Sequence, residues 1–364
     1  MMKQDKIKSW YLSQSYPVAV QNRITECLAL LQNQPNNIPC YIQQYGIPEV
    51  AGLRALIWNC CIEKFFAVDS TTSLHVASSS YWESIAQYQQ HPTDDPLLDS
   101  STTETVVDHP LNPRANSAWQ QYFSNQRLKK TIHMDTVRTH PDWHLFRQLE
   151  PSMNRILFLF AKQHPELGYI QGMNELVAPF VYVYLWDAMP CDSCWEFHDR
   201  EAEAFGAFNC FFSSFLSPLY ENVAHLQEKL QQAQQLLHRW DPQLSDHLQR
   251  YQVDWQLFGT RWLKLCLCRE FELPELLKIW DVLLSISVHS LRWKWLIGWM
   301  VRMMIHARDR LLSCTSFEQC ISLLQHYNTS CCIHDETLIF VLLDQTRRWI
   351  YQQEEQDPPA CFAG

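Results

Sequence analysis

The chain has 364 residues, 47% of them hydrophobic and 19% charged, with 15 Trp, 18 Phe and 14 Tyr. That is enough apolar and aromatic material for a large core, and it excludes a chain disordered throughout. The formal net charge of -10, with no long run of like charges, excludes the basic face of a phosphate-backbone binder, so nucleic acid is not an expected partner. Gly is scarce at 8 residues. Hairpins and meanders consume Gly at turns of positive φ, so the composition points to helices.

The 14 Cys are scattered, and the opening residues Met1 to Trp10 hold no apolar signal-peptide core. Reduced thiols in a cytosolic chain are expected. Cys191 and Cys194 form one CxxC, but no second half completes a zinc site, so no metal is expected. Cys361 lies four residues from the end, yet a final Gly364 is not a usual prenylation ending. The longest apolar run, Leu176 to Trp186, falls short of the roughly 18 residues that span a bilayer, and Pro179 interrupts it.

In chain order, residues 17–32 carry apolar positions at helical spacing and stop before a turn-rich Asn/Pro stretch. A helix over about 52–66 follows. From 67 to 116 Ser, Thr, Asp, His and Pro crowd in, which predicts a partly disordered insertion, dispensable for folding and catalysis, with one short helix around Tyr81 to Tyr88. Structure resumes at Trp119. Residues 151–163 open on Pro151 and end before Pro165, as helices do. Tyr169 to Trp186 reads as a buried central helix. Helical patterns then recur over 203–217, 219–238, 244–250, 261–285, 289–307, 316–326 and 335–352. Within these, Trp262 to Leu267 alternates enough to mimic a strand. The fold class expected is all-α.

Three segments carry candidate chemistry. Gly46-Ile47-Pro48 precedes a helix on which Arg54 and Trp58 are i, i+4 neighbours. The guanidinium there can stack on the indole or reach a partner; taken alone, it reads as a surface arginine over a core tryptophan. Ile132, Asp135 and Arg138 recur at i, i+3, i+6 on one helix stripe. Ile132 can anchor that stripe while Asp135 orients Arg138, although an isolated Asp–Arg pair is usually a solvated salt bridge. Gly168, Tyr169, Gln171 and Gly172 sit at the entry to the apolar segment. Glycines there admit a close backbone or phosphate and a helix start suits an anion, while a plain inter-helix turn is the structural alternative.

Together these segments resemble the TBC domain of Rab GTPase-activating proteins. Ile132, Asp135 and Arg138 match its IxxDxxR motif, and Tyr169, Gln171 and Gly172 match its YxQG motif. Arg54 and Trp58 resemble the family's opening motif. Arg261-Trp262, Arg269-Glu270-Phe271 and Trp280-Asp281 resemble its C-terminal block. The stretch from His109 to Pro113, with Trp119 and Phe123, is similar to compact members with little beyond the domain. On this resemblance residues 1–39 are an N-terminal helical extension, 40–350 the domain in two helical subdomains, and 351–364 a flexible tail.

The resemblance implies a catalytic activator of a Rab's GTP hydrolysis, rather than an enzyme with its own substrate pocket. Arg138 would be an arginine finger and Gln171 a second finger that orients the attacking water. Asp135 would fix Arg138, with Ile132, Tyr169, Gly172, Arg54 and Trp58 supporting the site. The implied partner is a Rab in its GTP-bound form. No cofactor belongs to the chain itself, since Mg²⁺ and GTP come with the GTPase. The expected place is the cytoplasm, peripheral to endomembranes through the Rab. Two rivals are a non-catalytic TBC-fold scaffold that only holds a Rab, and a Cys/His hydrolase. The first would be favoured by substitution of Arg138 or Gln171, both of which are present; the second lacks a nucleophile elbow or an active-Cys segment.

Overall fold

The structure, a computed structural model, describes residues 11, 13–66, 78–88, 110, 117–187 and 197–331, together with 341, 343, 344 and 348. Among the described residues every regular element is helical, and the chain forms two compact units. One comprises Met1–Thr72 with Cys210–Gly364, the other Ser73–Asn209.

The first unit begins with α1 (Val18–Asn33), α2 (Ile38–Tyr45) and α3 (Leu53–Phe65). The turn before α3 needs its glycine: Gly52 caps the helix at φ 75°, a left-handed conformation that costs a side-chain-bearing residue roughly 1–2 kcal/mol.

The second unit contains α4 (Ser78–Gln87), α5 (Ala118–Thr136), α6 (His144–Gln163), α7 (Met173–Val181) and most of α8 (Phe197–Phe211). Helix α5 starts at Ser117, whose hydroxyl accepts the Gln120 N–H and satisfies one orphan donor of the first turn. Helix α6 begins seven residues before the start expected at Pro151 and runs through the proline. Phe146 and Leu149 lie in register with Met153 and Ile156, so one buried stripe crosses it. Burying those two extra side chains contributes about 1.5–3 kcal/mol each. That offsets the ~3 kcal/mol an interior proline costs. The segment from Tyr169 is shorter as a helix than expected. It becomes helical only at Met173, and its last turn, Tyr182–Trp186, widens to π geometry, with Asp187 N–H bonded to the Tyr182 carbonyl at 2.8 Å.

Helix α4 lies inside the stretch expected to be dispensable, and it is packed. Tyr81 is fully buried, donates to Glu201 Oε1 at 2.8 Å and lies against Phe205 at 5.4 Å between ring centroids. Glu201, itself wholly buried, also receives Ser152 Oγ and two nitrogens of Arg155, each at 2.7 Å. Tyr81→Ala therefore removes a core aromatic and one partner of a buried carboxylate. A loss of about 3–5 kcal/mol is expected. Thermal unfolding should show it as a fall of more than about 6 °C; a shift below about 2 °C would show that α4 is peripheral. The remainder of 67–116 lies outside the described residues, apart from Pro110, as do the CxxC, the 351–364 tail and most of the helix expected over 335–352.

The rest of the first unit comprises α9 (Val223–Trp240), α10 (Pro242–Arg250), α11 (Gly259–Lys264), α12 (Leu273–Ser285), α13 (His289–His306) and α14 (Phe317–Gln325), with shorter turns between them. Helix α12 packs on α2 and α3, and α9 on α13. The core there is unusually rich in tryptophan: Trp58, Trp262, Trp280, Trp295 and Trp299 are all essentially inaccessible to solvent. The strand-like alternation after Trp262 is instead the end of α11. Cys266 at φ 47° and Leu267 at φ 68° reverse the chain, and Leu267 N–H closes on the Trp262 carbonyl at 3.0 Å.

Candidate functional site

In the second unit, the end of α5 presents the IxxDxxR residues in an ordered series of environments. Ile132 is fully buried and pins the last turn. Asp135, one turn on, is only 5% exposed, and an unpaired carboxylate there would be costly. It is not unpaired. Its Oδ1 accepts the Arg138 guanidinium, and its Oδ2 accepts the Tyr169 hydroxyl at 2.8 Å. The helix ends at Thr136, the Arg138 N–H closes a tighter turn on the Asp135 carbonyl at 3.1 Å, and the Arg138 side chain leaves the surface 64% exposed.

The same turn is tied down from α7. Asn174 Nδ2 donates to the Asp135 carbonyl at 3.3 Å and to Thr139 Oγ1 at 2.9 Å, and Thr139 Oγ1 donates to the Asp135 carbonyl at 3.3 Å. Neither Asn174 nor Thr139 is singled out by the sequence motifs. Asn174 stands three residues beyond Gln171, so its helical position was readable. Its bond to a carbonyl 39 residues away was not.

Tyr169 opens the turn that carries Gln171. Burial, then its bond to Asp135 and the charge of that carboxylate, hold its phenol well above the usual range, so it stays a neutral donor. Gly168 has φ 62° with no heavy atom within 4 Å of where a Cβ would sit, so backbone conformation, not crowding, favours glycine there. Gly172 caps α7 at φ 103°. Between them Gln171 is exposed at the start of that helix. The structure thus brings Ile132, Asp135, Arg138 and Tyr169 together, with Gln171 and Gly172 on the turn that Tyr169 anchors.

Arg54 and Trp58 form a cluster of their own within the first unit. Arg54 is 6% exposed, not a surface arginine. Its Nε reaches both oxygens of Asp281 at 3.1 and 3.3 Å, and Trp58 Nε1 donates to Asp281 Oδ1 at 2.7 Å. Burial pushes the Asp281 carboxyl up, against the opposing pull of Arg54 and Trp58. A buried carboxylate with two convergent donors joins α3 to α12 and orients both helices. The C-terminal block is built the same way: Arg261 grips Glu270 through two nitrogens at 2.9 and 3.0 Å and also reaches the Gln325 carbonyl at 2.7 Å.

Among the described residues every regular element is helical, and an exposed arginine clamped by a buried aspartate stands with a glutamine turn flanked by glycines. The RabGAP-TBC family, described as the Rab-GTPase-TBC domain, matches residues 52–297. The chain belongs to that family. Among curated relatives it is 28% identical over 287 residues to TBC1 domain family member 5 of Homo sapiens, covering 67% of this chain and 36% of that protein. It is 26% identical over 359 residues to human TBC1 domain family member 13, covering 78% of this chain and 87% of that one. The chain thus spans about a third of the length of the first relative and most of the second. Among solved structures, the Ypt/Rab-GAP domain of Gyp1p superposes with a TM-score of 0.70 at 22% identity, covering 92% of this chain and 99% of that domain. This last likeness establishes the all-α fold.

Proposed function

We propose that this protein accelerates GTP hydrolysis by a Rab-family small GTPase in its GTP-bound form, supplying Arg138 and Gln171 in trans. The observation that carries the reading is the double use of Asp135. One oxygen holds the arginine and the other holds the tyrosine that anchors the glutamine turn. A single buried carboxylate thereby holds the arginine and anchors the turn that carries the glutamine.

A GTPase alone is slow because charge builds on its γ-phosphate without a nearby cation and its attacking water is loosely held. An arginine inserted from a partner is worth about 10³–10⁵ in rate. That corresponds to about 4–7 kcal/mol of barrier. Arg138 is suited to this role, being exposed, with a planar guanidinium fork that can meet two phosphate oxygens while Asp135 limits its freedom. Gln171, exposed on its turn, is suited to orient the water through its amide. On this reading Mg²⁺ and GTP come with the partner, and Arg54 and Trp58 serve by holding the first unit together. No helix among the described residues is long and apolar enough to cross a membrane. On the GTPase-activating reading the protein acts from the cytoplasm and meets endomembranes through the Rab, in vesicle traffic.

Tyr169→Phe tests the shared aspartate. It removes one hydrogen bond to a carboxylate, so hydrolysis should slow by about tenfold, with little change in melting temperature. An unchanged rate would show that Tyr169 does not position the site. The reading as a whole is tested by single-turnover hydrolysis across a panel of purified Rab proteins, with Arg138→Ala as control. Acceleration of at least one Rab that the control loses is the expected result. No acceleration of any would contradict it and leave a Rab-binding scaffold.

A further inference from the structure

Immediately beside the arginine turn, the second unit has an open cavity of about 320 Å³. Its walls include Thr136, Val137, Thr139, Pro141, Phe146 and Arg147. The polar groups of its inner wall are already engaged. Thr136 Oγ1 lies 2.7 Å from Asn154 Oδ1 and 3.1 Å from the His133 carbonyl, so its one proton is engaged between them, and Thr139 is bonded as described above. Glu150, also on the wall, meets His133 Nδ1 at 2.7 Å and accepts from Asn154. What the cavity offers a visitor is therefore the apolar surface of the exposed Val137 and Pro141, beside the half-buried His140 ring that lies over the buried Phe146 at 4.7 Å between ring centroids. It also offers one cation, because Arg147 is exposed and has no hydrogen-bond or ion-pair partner among the described residues.

The surface around it is apolar in the same sense. Of the three large hydrophobic side chains the second unit leaves exposed among its described residues, two are Met134 at 60% and Val137 at 55%. They lie three residues apart at the end of α5, on the stripe next to the one that ends in Arg138, each one residue before Asp135 or Arg138. Exposed apolar side chains gathered at one place mark a contact surface more often than isolated ones do. Val137 and Thr139 flank Arg138 in the chain, so a molecule that delivers an anion to Arg138 also covers the mouth of this cavity.

We propose that the cavity seats an apolar side chain of the GTPase, taken from the segment that the γ-phosphate orders, and that Arg147 pairs with a carboxylate next to it. This rests on the GTPase-activating reading and adds a recognition element to it. Arg147 on the cavity wall and Arg138, next to Val137 in the chain, then supply two positive groups beside an apolar surface. That arrangement complements a hydrophobic residue flanked by acid on one side and nucleotide phosphate on the other. Segments of this kind are ordered by γ-phosphate and Mg²⁺ and released on hydrolysis. The cavity therefore favours the GTP-bound partner and contributes to binding rather than to the chemical step.

The test uses Val137→Ser and Arg147→Glu, both at exposed positions, with melting curves to confirm folding. Steady-state hydrolysis with a Rab that the wild-type protein accelerates should show KM raised at least about fivefold in each variant while kcat stays within about twofold. The wild-type KM should rise with added salt, and that of Arg147→Glu should rise less, because one attraction that salt weakens has become a repulsion that salt also weakens. A parallel arm measures direct binding to Rab proteins loaded with a non-hydrolysable GTP analogue, in an Arg138→Ala background. There Arg147→Glu should weaken binding by a similar factor. Unchanged KM and unchanged binding would overturn the cavity assignment while leaving the catalytic reading intact. Weakened binding by a protein that accelerates no Rab would uphold the cavity and overturn the catalytic reading instead.

Discussion

Replacing Arg138 by either Ala or Lys is expected to slow single-turnover GTP hydrolysis by at least about 100-fold, a conservative part of the range an inserted arginine supplies. Ala removes the cation altogether. Lys keeps the charge but replaces a planar, two-pronged group with a compact ammonium that cannot meet two phosphate oxygens at once. It also loses the geometry by which Asp135 holds the guanidinium. The fold should survive both changes, since the side chain is 64% exposed, but Ala leaves the buried Asp135 Oδ1 without its guanidinium partner, at a cost of about 1–3 kcal/mol. A single cooperative melting transition only a few degrees below wild type, alongside the collapsed rate, is the pattern to look for. A Lys variant with more than half the wild-type rate would mean that charge alone suffices, and the arginine would then be a binding contact.

Gln171→Ala should be nearly as damaging to rate, by about 10–100-fold, and should leave Rab affinity almost unchanged. The amide is asked to act on a water in the transition state, and an interaction made only there lowers kcat without raising KM. Its position supports the separation of effects. Gln171 is exposed between two glycines of positive φ and lies outside the buried body of α7, so truncation removes neither packing nor a cap. If Gln171→Ala instead weakens binding and spares kcat, the residue is a contact in the interface and not a catalytic group.

Much of this site was readable from residue spacing, because its parts are local. Ile132, Asp135 and Arg138 lie within seven residues, and helical periodicity alone puts them on one stripe. Tyr169, Gln171 and Gly172 are closer still. What spacing could not show was the connection between the two segments, made by a tyrosine hydroxyl and a carboxylate 34 residues apart. Arg54 illustrates the same limit more sharply. An arginine four residues before a tryptophan reads as a surface group when its counter-ion, Asp281, is 227 residues away. Helix boundaries went astray where tertiary packing overrode a local rule. Pro151 is an expected helix start, yet the buried stripe from Phe146 to Ile156 carries α6 across it. In the polar stretch, the short periodic run at Tyr81 was visible, but its burial depended on Glu201, which no local pattern connects to it.

The most direct test of the account is the hydrolysis rate of a Rab whose own catalytic glutamine is replaced by Ala, measured with the wild-type protein and with Gln171→Ala. If this protein supplies both the cation and the water-orienting amide, the glutamine-less Rab is still turned over by wild type, and turnover is lost with Gln171→Ala. If the arginine is the only group supplied, the GTPase's glutamine remains essential. The mutant Rab would then be inert with the wild-type protein, and Gln171 would be no more than a residue of the turn into α7.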